Sequence, residues 1–270
     1  MNDICNLKIK NSFFSGKINS LKNKNVGITL YQDKEYILKK ENSITSEYLF
    51  YKKFSEKIKK DYMEDYIQIP IKYEKCKSNN KNSINYLFKP LDKDFNKSIR
   101  YSNKNIFGQI LLIVYYINHK LKIYHNDLFS IYRFHNKFFD FNNIMISKNK
   151  NKSDRKNKIL CVDDLSIKID KYICTIIDFE YYSKIPSQRI KYFYIFFSNM
   201  YQYNFEYKSE MFILFIIYYM DCKKNYNFYL IPIFYNYFEN IMISGLNIKK
   251  DKKFNTKDFD RIIFKNYLNI

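Results

Sequence analysis

The sequence predicts an α+β protein in two lobes, a small strand-rich one over residues 1–90 and a larger helical one over residues 91–270. Three observations carry this expectation. Short runs of strand-like composition, broken by polar turns, dominate the first ninety or so residues. The segment 105–123, "NIFGQILLIVYYINHKLKI", is apolar nearly all round. The remainder of the chain is mostly helix-like and aromatic, and the change of character falls at Pro90.

Of the 270 residues, 46% are hydrophobic and 20% aromatic, enough to bury one large core or two smaller ones about a cleft. Alanine is absent, Trp is at 0, Gly and Pro stand at 4 each, and Lys, Asn, Ile, Tyr and Phe fill the chain, as a strongly AT-biased coding sequence would write it. The same bias inflates Lys, so the net charge of +20, spread along the whole chain, makes nucleic acid a lesser alternative and not the expected main partner. The densest basic run, "KNKNKSDRKNK" at 148–158, reads as a solvated loop. Cys5, Cys76, Cys161, Cys174 and Cys222 show neither a C-x-x-C pair nor metal-ligand spacing. They read as reduced, structural thiols in a cytoplasmic protein. The N-terminal residues lack the apolar core of a signal peptide, and "MFILFIIYYM" at 211–220 is too short for a membrane span and suits a buried helix.

Taken in order, Gly27–Tyr31 and Tyr36–Lys39 read as two strands of a hairpin around "QDK". In 43–60 the apolar residues Leu49, Phe50, Phe54 and Ile58 recur at helical spacing among charges, which predicts an amphipathic helix. "IQIPIKYEKC" and "INYLFKPL" read as strands with Asn- and Ser-rich turn material between them. The apolar 105–123 segment predicts a buried helix that delivers the chain to "YHNDL". A strand "NIMIS", a long insertion and a strand "ICTIIDFE" come next.

Four charged positions fall beside these apolar elements. Lys39 ends a strand, Glu47 lies at the helix onset, Asp127 follows the buried helix, and Asp178 follows "ICTII". A Lys, a Glu, two Asp and an Asn gathered in one cleft suit phosphoryl transfer from a nucleotide. Carboxylate and amide hold a divalent metal, the ammonium meets phosphate oxygens, and a carboxylate accepts a hydroxyl proton.

The order of these elements resembles the protein-kinase-like superfamily, over about residues 26–220. "YHNDL" resembles the catalytic-loop H-R-D-L, "NNIMI" the Asn and strand that come after it, "IIDFEYYS" the strand ending in D-F-G, and "EYILKK" stands where V-A-I-K stands. The resemblance implies ATP and Mg²⁺ as cofactors. It makes Asp127 the catalytic base, Asn143 and Asp178 the metal ligands, Lys39 the partner of the α- and β-phosphates and Glu47 the group that fixes Lys39. His125 becomes structural, and backbone near Phe88 and Lys89 becomes the hinge that meets adenine. "GQILLIVYYINHKLKIYHNDL" also resembles divergent protein kinases of large DNA viruses, which implies a protein serine or threonine as acceptor.

The departures from the family pattern are specific. Asn143 comes 16 residues after Asp127 (143 minus 127), where the family has five, so about eleven residues must loop out and return. Asn142 replaces Asn143 if the register shifts by one. No G-x-G-x-x-G covers the phosphates. Gly16 and Gly27 lie in the right region, with Lys17, Ser15 and Ser20 as helpers. Phe129 stands where protein kinases place a Lys, and Glu180 replaces the D-F-G glycine, as in choline-kinase-like enzymes. A small-molecule kinase of the choline or aminoglycoside type, and a nucleotide-binding pseudokinase, therefore stay open. Whether the insertion at 129–141 is a lid, a substrate platform or an inert loop, packed by Phe134, Phe138 and Phe139, also stays open.

Overall fold

The computed structural model describes residues 4–5, 28–32, 36–41, 43–78, 81–91, 93–94, 104–128, 130–131, 139–140, 143–149, 158–187, 210–211, 214 and 256–269. Over these residues the chain is a mixed α+β protein whose sheets are antiparallel. Strands β1 (Ile28–Gln32), β2 (Ile37–Glu41), β3 (Lys72–Ser78) and β4 (Lys81–Phe88) form one sheet in the order β1-β2-β4-β3. The expected hairpin of β1 and β2 is present, with Leu30 opposite Lys39. The third strand begins later than "IQIPIKYEKC" suggests, because the segment through Pro70 runs instead beside a distant strand, with Ile67 bridging Ile176 in parallel.

Helix α1 (Ser46–Lys60) starts at Thr45, whose hydroxyl accepts the Tyr48 N–H as an N-cap. Its buried face includes Glu47, Phe50, Tyr51, Phe54 and Ile58, at the expected spacing of three and four. Leu49, expected on that face, is 51% exposed. It lies three, four and seven residues from the exposed Lys52, Lys53 and Glu56, and so belongs to the charged stripe of the helix.

Helix α2 (Lys104–His119) is the central pillar, buried continuously from Ile106 to Ile117. Such all-round burial explains why its sequence carries no polar stripe. Short strand β5 (Lys93–Asp94) pairs with β8 (Ile144–Lys148), which pairs with β11 (Tyr172–Ile176). Before β8 lie β6 (Ser130–Ile131) and β7 (Phe139–Asp140), paired with each other. Between β8 and β11 the sequence suggests only an insertion. Its later part folds as a hairpin of β9 (Ile159–Val162) and β10 (Leu165–Lys168) around Asp163 and Asp164, with Asp163 at φ 55°. Residues 150–157 of the basic run lie outside the described residues. Of the apolar run 211–220, Met211 and Leu214 are helical and buried, and the others lie outside the described residues.

Helix α3 (Thr256–Asn269) docks on α2 and on the β9–β10 hairpin. His119 meets the buried Asp260 at 2.7 Å, Lys257 meets Asp163 at 2.9 Å, and Arg261 meets Asp164 at 2.6 Å. Close approach is possible because Gly108 has no side chain. A Cβ there would lie 2.5 Å from Ile167 Cδ1 and 3.1 Å from Tyr267 Cε1.

The expectation of reduced thiols is overturned at one pair. Cys5 and Cys76 are joined by a disulfide across 71 residues, while Cys161 and Cys174 are free and Cys222 lies outside the described residues. Sequence spacing holds no hint of this bond, because the two cysteines are brought together by the seating of Ile4 on the β-sheet. Ile4 is buried with Leu38 and Leu87, its N–H donates to Glu74 at 3.0 Å, and its carbonyl accepts from Asn85 at 3.0 Å. Disulfides persist in oxidising surroundings, so this bond removes the thiol-based argument for a cytoplasmic protein. Among the described residues no helix is long and apolar enough to cross a membrane.

Strand β11 is a sheet edge, and the side chain of Gln109 from α2 satisfies its first half. The Gln109 amide donates to the Tyr172 carbonyl at 2.9 Å and accepts the Cys174 N–H at 3.0 Å. Gln109→Leu leaves both buried backbone groups without partners. It should lower stability by about 2–4 kcal/mol, read in denaturant unfolding.

Candidate functional site

Three residues other than glycine adopt left-handed backbone where the site assembles: Asn126 at φ 69°, Asn143 at φ 64° and Asp178 at φ 60°. Asn and Asp tolerate this region better than other side chains, and such positions concentrate at functional sites.

After α2 the chain pairs Tyr124 with Ser183 by two backbone hydrogen bonds, which sets "HND" beside the segment after β11. His125 is fully buried. Its Nε2–H donates to the Ile177 carbonyl at 2.9 Å, its ring lies 4.6 Å from that of Phe179, and its Nδ1 accepts the Asp127 N–H at 3.4 Å. Burial lowers its pKa to about 4, so it is neutral at ordinary pH. Phe179 in turn stacks on Phe50 of α1, with ring centroids 3.8 Å apart. His125 thus packs the loop from within. Asn126 holds the far side. Its amide donates to the carbonyls of Tyr181 and Ile185 and accepts the Ser187 N–H at 2.7 Å.

Under this loop sits a carboxylate that no local pattern in the sequence singles out. Glu210 is fully buried and accepts the N–H groups of His125 at 3.1 Å and Asn126 at 2.9 Å, and the Asn118 amide at 3.3 Å. Burial raises its pKa, against the pull of those three donors. Its one signal in the sequence is that of an acid directly before an apolar helical run.

The insertion after Asp127 returns. Pairing of Ser130 with Asp140 and Ile131 with Phe139 closes it as a hairpin stem, and the chain re-enters β8 with Asn143 beside Asp127. Asn143 Nδ2 donates to the Asp127 carbonyl at 2.9 Å and to its carboxylate at 3.1 Å. The Asn143 carbonyl accepts the Ile177 N–H at 2.9 Å, which ties the same residue to the chain entering Asp178. Asn142, Phe129, Phe134 and Phe138 lie outside the described residues, as do Ser15, Gly16, Lys17, Ser20 and Gly27.

Lys39, Glu47 and Asp178 also come together. The Lys39 ammonium pairs with the Glu47 carboxylate and lies 3.7 Å from Asp178 and 3.0 Å from Glu41. Burial works against its charge, yet Glu47, Asp178 and Glu41 outweigh it and hold its pKa well above the usual lysine value. Glu47 also accepts the Tyr51 hydroxyl at 2.7 Å, and burial pushes its pKa up to about 8 despite Lys39. Glu41 is an addition to the expected set, although two residues along a strand put it on the same face as Lys39. Asp178 Oδ1 is buried and receives no hydrogen bond. Glu180 is half-buried, and its carboxyl is raised by burial and by Asp178 and Asp127 nearby.

Phe88 ends β4 and Lys89 follows it. The Phe88 ring is core, packed against Tyr51 and Tyr86, and the Lys89 carbonyl accepts the Gln68 amide at 3.5 Å. Among the described residues no three His, Cys, Asp or Glu side chains are grouped to hold a metal ion. No protein-family model matches this chain, and no curated protein matches it either.

The buried neutral His125 makes acid stability a direct readout of this packing. Its pKa is depressed from 6.5 to about 4, so its contribution is full above about pH 6.5 and is lost as pH falls towards 4. Melting curves across that range should show a loss of up to about 3 kcal/mol that His125→Gln removes.

Proposed function

We propose that the chain is an ATP- and Mg²⁺-dependent phosphotransferase of protein-kinase-like, two-lobed fold that acts on a serine or threonine hydroxyl of a protein. The observation that carries this reading is the meeting of Lys39 from β2, Glu47 from α1 and Asp178 from the turn after β11, three groups from separate elements. Asp127 and Asn143 join them across the closed insertion.

In this reading Lys39, held by Glu47, binds the phosphate oxygens of the nucleotide. Asp178 and Asn143 would hold Mg²⁺, which when bound would offset the charge of the phosphate. The buried Asp178 Oδ1, without a hydrogen bond, fits such a role, and Mg²⁺ needs only one or two carboxylates beside phosphate and water. Carboxylates outnumber the single ammonium at the site, which disfavours a bare polyphosphate and favours one carrying a divalent cation. Asp127, oriented by the Asn143 amide, accepts the proton of the attacking hydroxyl. The Glu210 carboxylate keeps the Asp127 loop in place through the two preceding N–H groups. Adenine would meet backbone near Phe88 and Lys89, between the lobes.

Glu180 favours a second reading. A carboxylate next to Asp127 and Asp178 is a choline-kinase-like feature, and it suits a small, cationic or amino-bearing alcohol as acceptor. The closed insertion speaks against a dead pseudokinase, because the amide that would bind metal reaches the carboxylate that would act as base.

Transfer of labelled γ-phosphate from Mg-ATP tests these readings against one another. Mixed proteins should become labelled by the wild type, and Asp127→Asn should lower the rate by about 10²–10⁴-fold with an unchanged melting temperature. Label on choline or an aminoglycoside alone would select the small-molecule reading. Undiminished transfer by Asp127→Asn would exclude Asp127 as the base.

A further inference from the structure

Glu41 is the buried group at this site to which phosphoryl transfer assigns no task. It ends β2, fully buried, two residues from Lys39 on the same strand face. Its Oε2 accepts the Thr45 hydroxyl at 2.6 Å and the Tyr86 hydroxyl at 2.9 Å. Its Oε1 lies 3.0 Å from the Lys39 ammonium but receives no aligned hydrogen bond. Beside it Glu47, also buried, pairs with Lys39 through Oε2 and accepts the Tyr51 hydroxyl through Oε1. The two carboxyls meet the same ammonium, Glu41 through Oε1 and Glu47 through Oε2.

Two buried carboxyls therefore face one ammonium. The groups around them are Lys39 from β2, Tyr51 from α1, Tyr86 from β4, and Asp178 and Glu180 after β11, so Lys39 is the one cation in the set among the described residues. Asp178 is farther from the ammonium and 36% open to water, which shares in stabilising its charge. A second buried negative charge without its own counterion is unfavourable by about several kcal/mol, and a proton removes that cost. Glu41 Oε1, which receives no hydrogen bond, is an acceptor open to such a proton.

We propose that Glu41 and Glu47 share a single proton, so that the pair presents one negative charge to Lys39, with Glu41 as a second positioning residue for that ammonium. The opposed titration directions agree with this. Burial pushes Glu47 up to about 8, while Lys39 and the Thr45 hydroxyl outweigh burial at Glu41 and lower it. Lys39 then keeps positive charge to offer phosphate, a consequence that rests on the phosphotransferase reading. The shared proton does not rest on it.

Stability measured against pH tests the proton directly. The folded pair holds a proton that unfolded carboxyls release above about pH 5, so its stabilising effect is present at low pH and is lost as pH rises through about 8. From about pH 6.5 to 8, above the range in which unfolded His125 takes up a proton, the unfolding constant should rise about tenfold per pH unit from this pair. Glu41→Gln keeps an acceptor for Thr45 and Tyr86 but leaves Glu47 alone with Lys39, and it should remove that slope, as should Glu47→Gln. An infrared band of a buried protonated carboxyl in the wild type near pH 7, absent above about pH 9, reads the same proton without any variant. Equal slopes in wild type and Glu41→Gln, or no such band, would overturn the proposal. Mg-ATP binding measured on the same wild-type protein separates the two claims. A slope without nucleotide binding keeps the shared proton and removes the phosphotransferase reading, and binding without a slope does the reverse.

Discussion

An ammonium taken out of water must find negative charge, and the rest of this site is arranged around the one that does so at Lys39. Its partners come from a neighbouring strand position, from α1 and from the turn after β11. Those contacts therefore tie the four-stranded sheet, the helix and the second sheet to one another. The stack of Phe50 on Phe179 works in the same direction, since it joins α1 to the residue after Asp178. Breaking either would leave a buried charge or a cavity between these elements.

The second constraint is the backbone. Asn126, Asn143 and Asp178 sit in a region that most side chains avoid. Asn126 and Asn143 are held there by hydrogen bonds from more than one segment, and Asp178 faces the Lys39 ammonium. Glu210 supplies much of that hold for the loop before Asp127, with a carboxylate buried to serve two backbone N–H groups and one amide. A buried carboxylate is expensive unless its acceptor sites are filled, so the arrangement fixes the loop and the acid together.

Much of this is legible in the sequence where a local pattern carries it. The apolar run of α2, the β1–β2 hairpin and the spacing of Phe50, Phe54 and Ile58 are short-range signals, and the structure contains each. Lys39, Glu47, Asp127 and Asp178 can be singled out because each stands at the end or the onset of an apolar or helical element. Asn143, in contrast, is singled out only by the resemblance of "NNIMI" to the Asn and strand of a kinase catalytic loop. The features that escape the sequence depend on distant pairing. The Cys5–Cys76 bond arises from where Ile4 seats on the sheet, and the β9–β10 hairpin is hidden behind a basic, Asn-rich run. Glu210 and Glu41 carry only weak local signals, an acid before an apolar run and an acid two residues beyond Lys39, since His125 and Asn126 for the one and Tyr86 for the other come from distant segments. Leu49 belongs to an apolar repeat yet lies exposed, because apolar character alone does not decide which face a helix buries.

A nucleotide that binds only the folded chain raises its melting temperature by mass action. The most direct measurement is thermal unfolding of the wild type and of Asp178→Ala with and without Mg-ATP. A nucleotide site built from Lys39, Glu47, Asp178, Asn143 and Asp127 predicts a Mg²⁺-dependent rise in the wild type, on the order of 2–3 kcal/mol at a hundredfold excess over the dissociation constant, and its loss in Asp178→Ala. No shift in the wild type at saturating Mg-ATP, or an equal shift in Asp178→Ala, would contradict it.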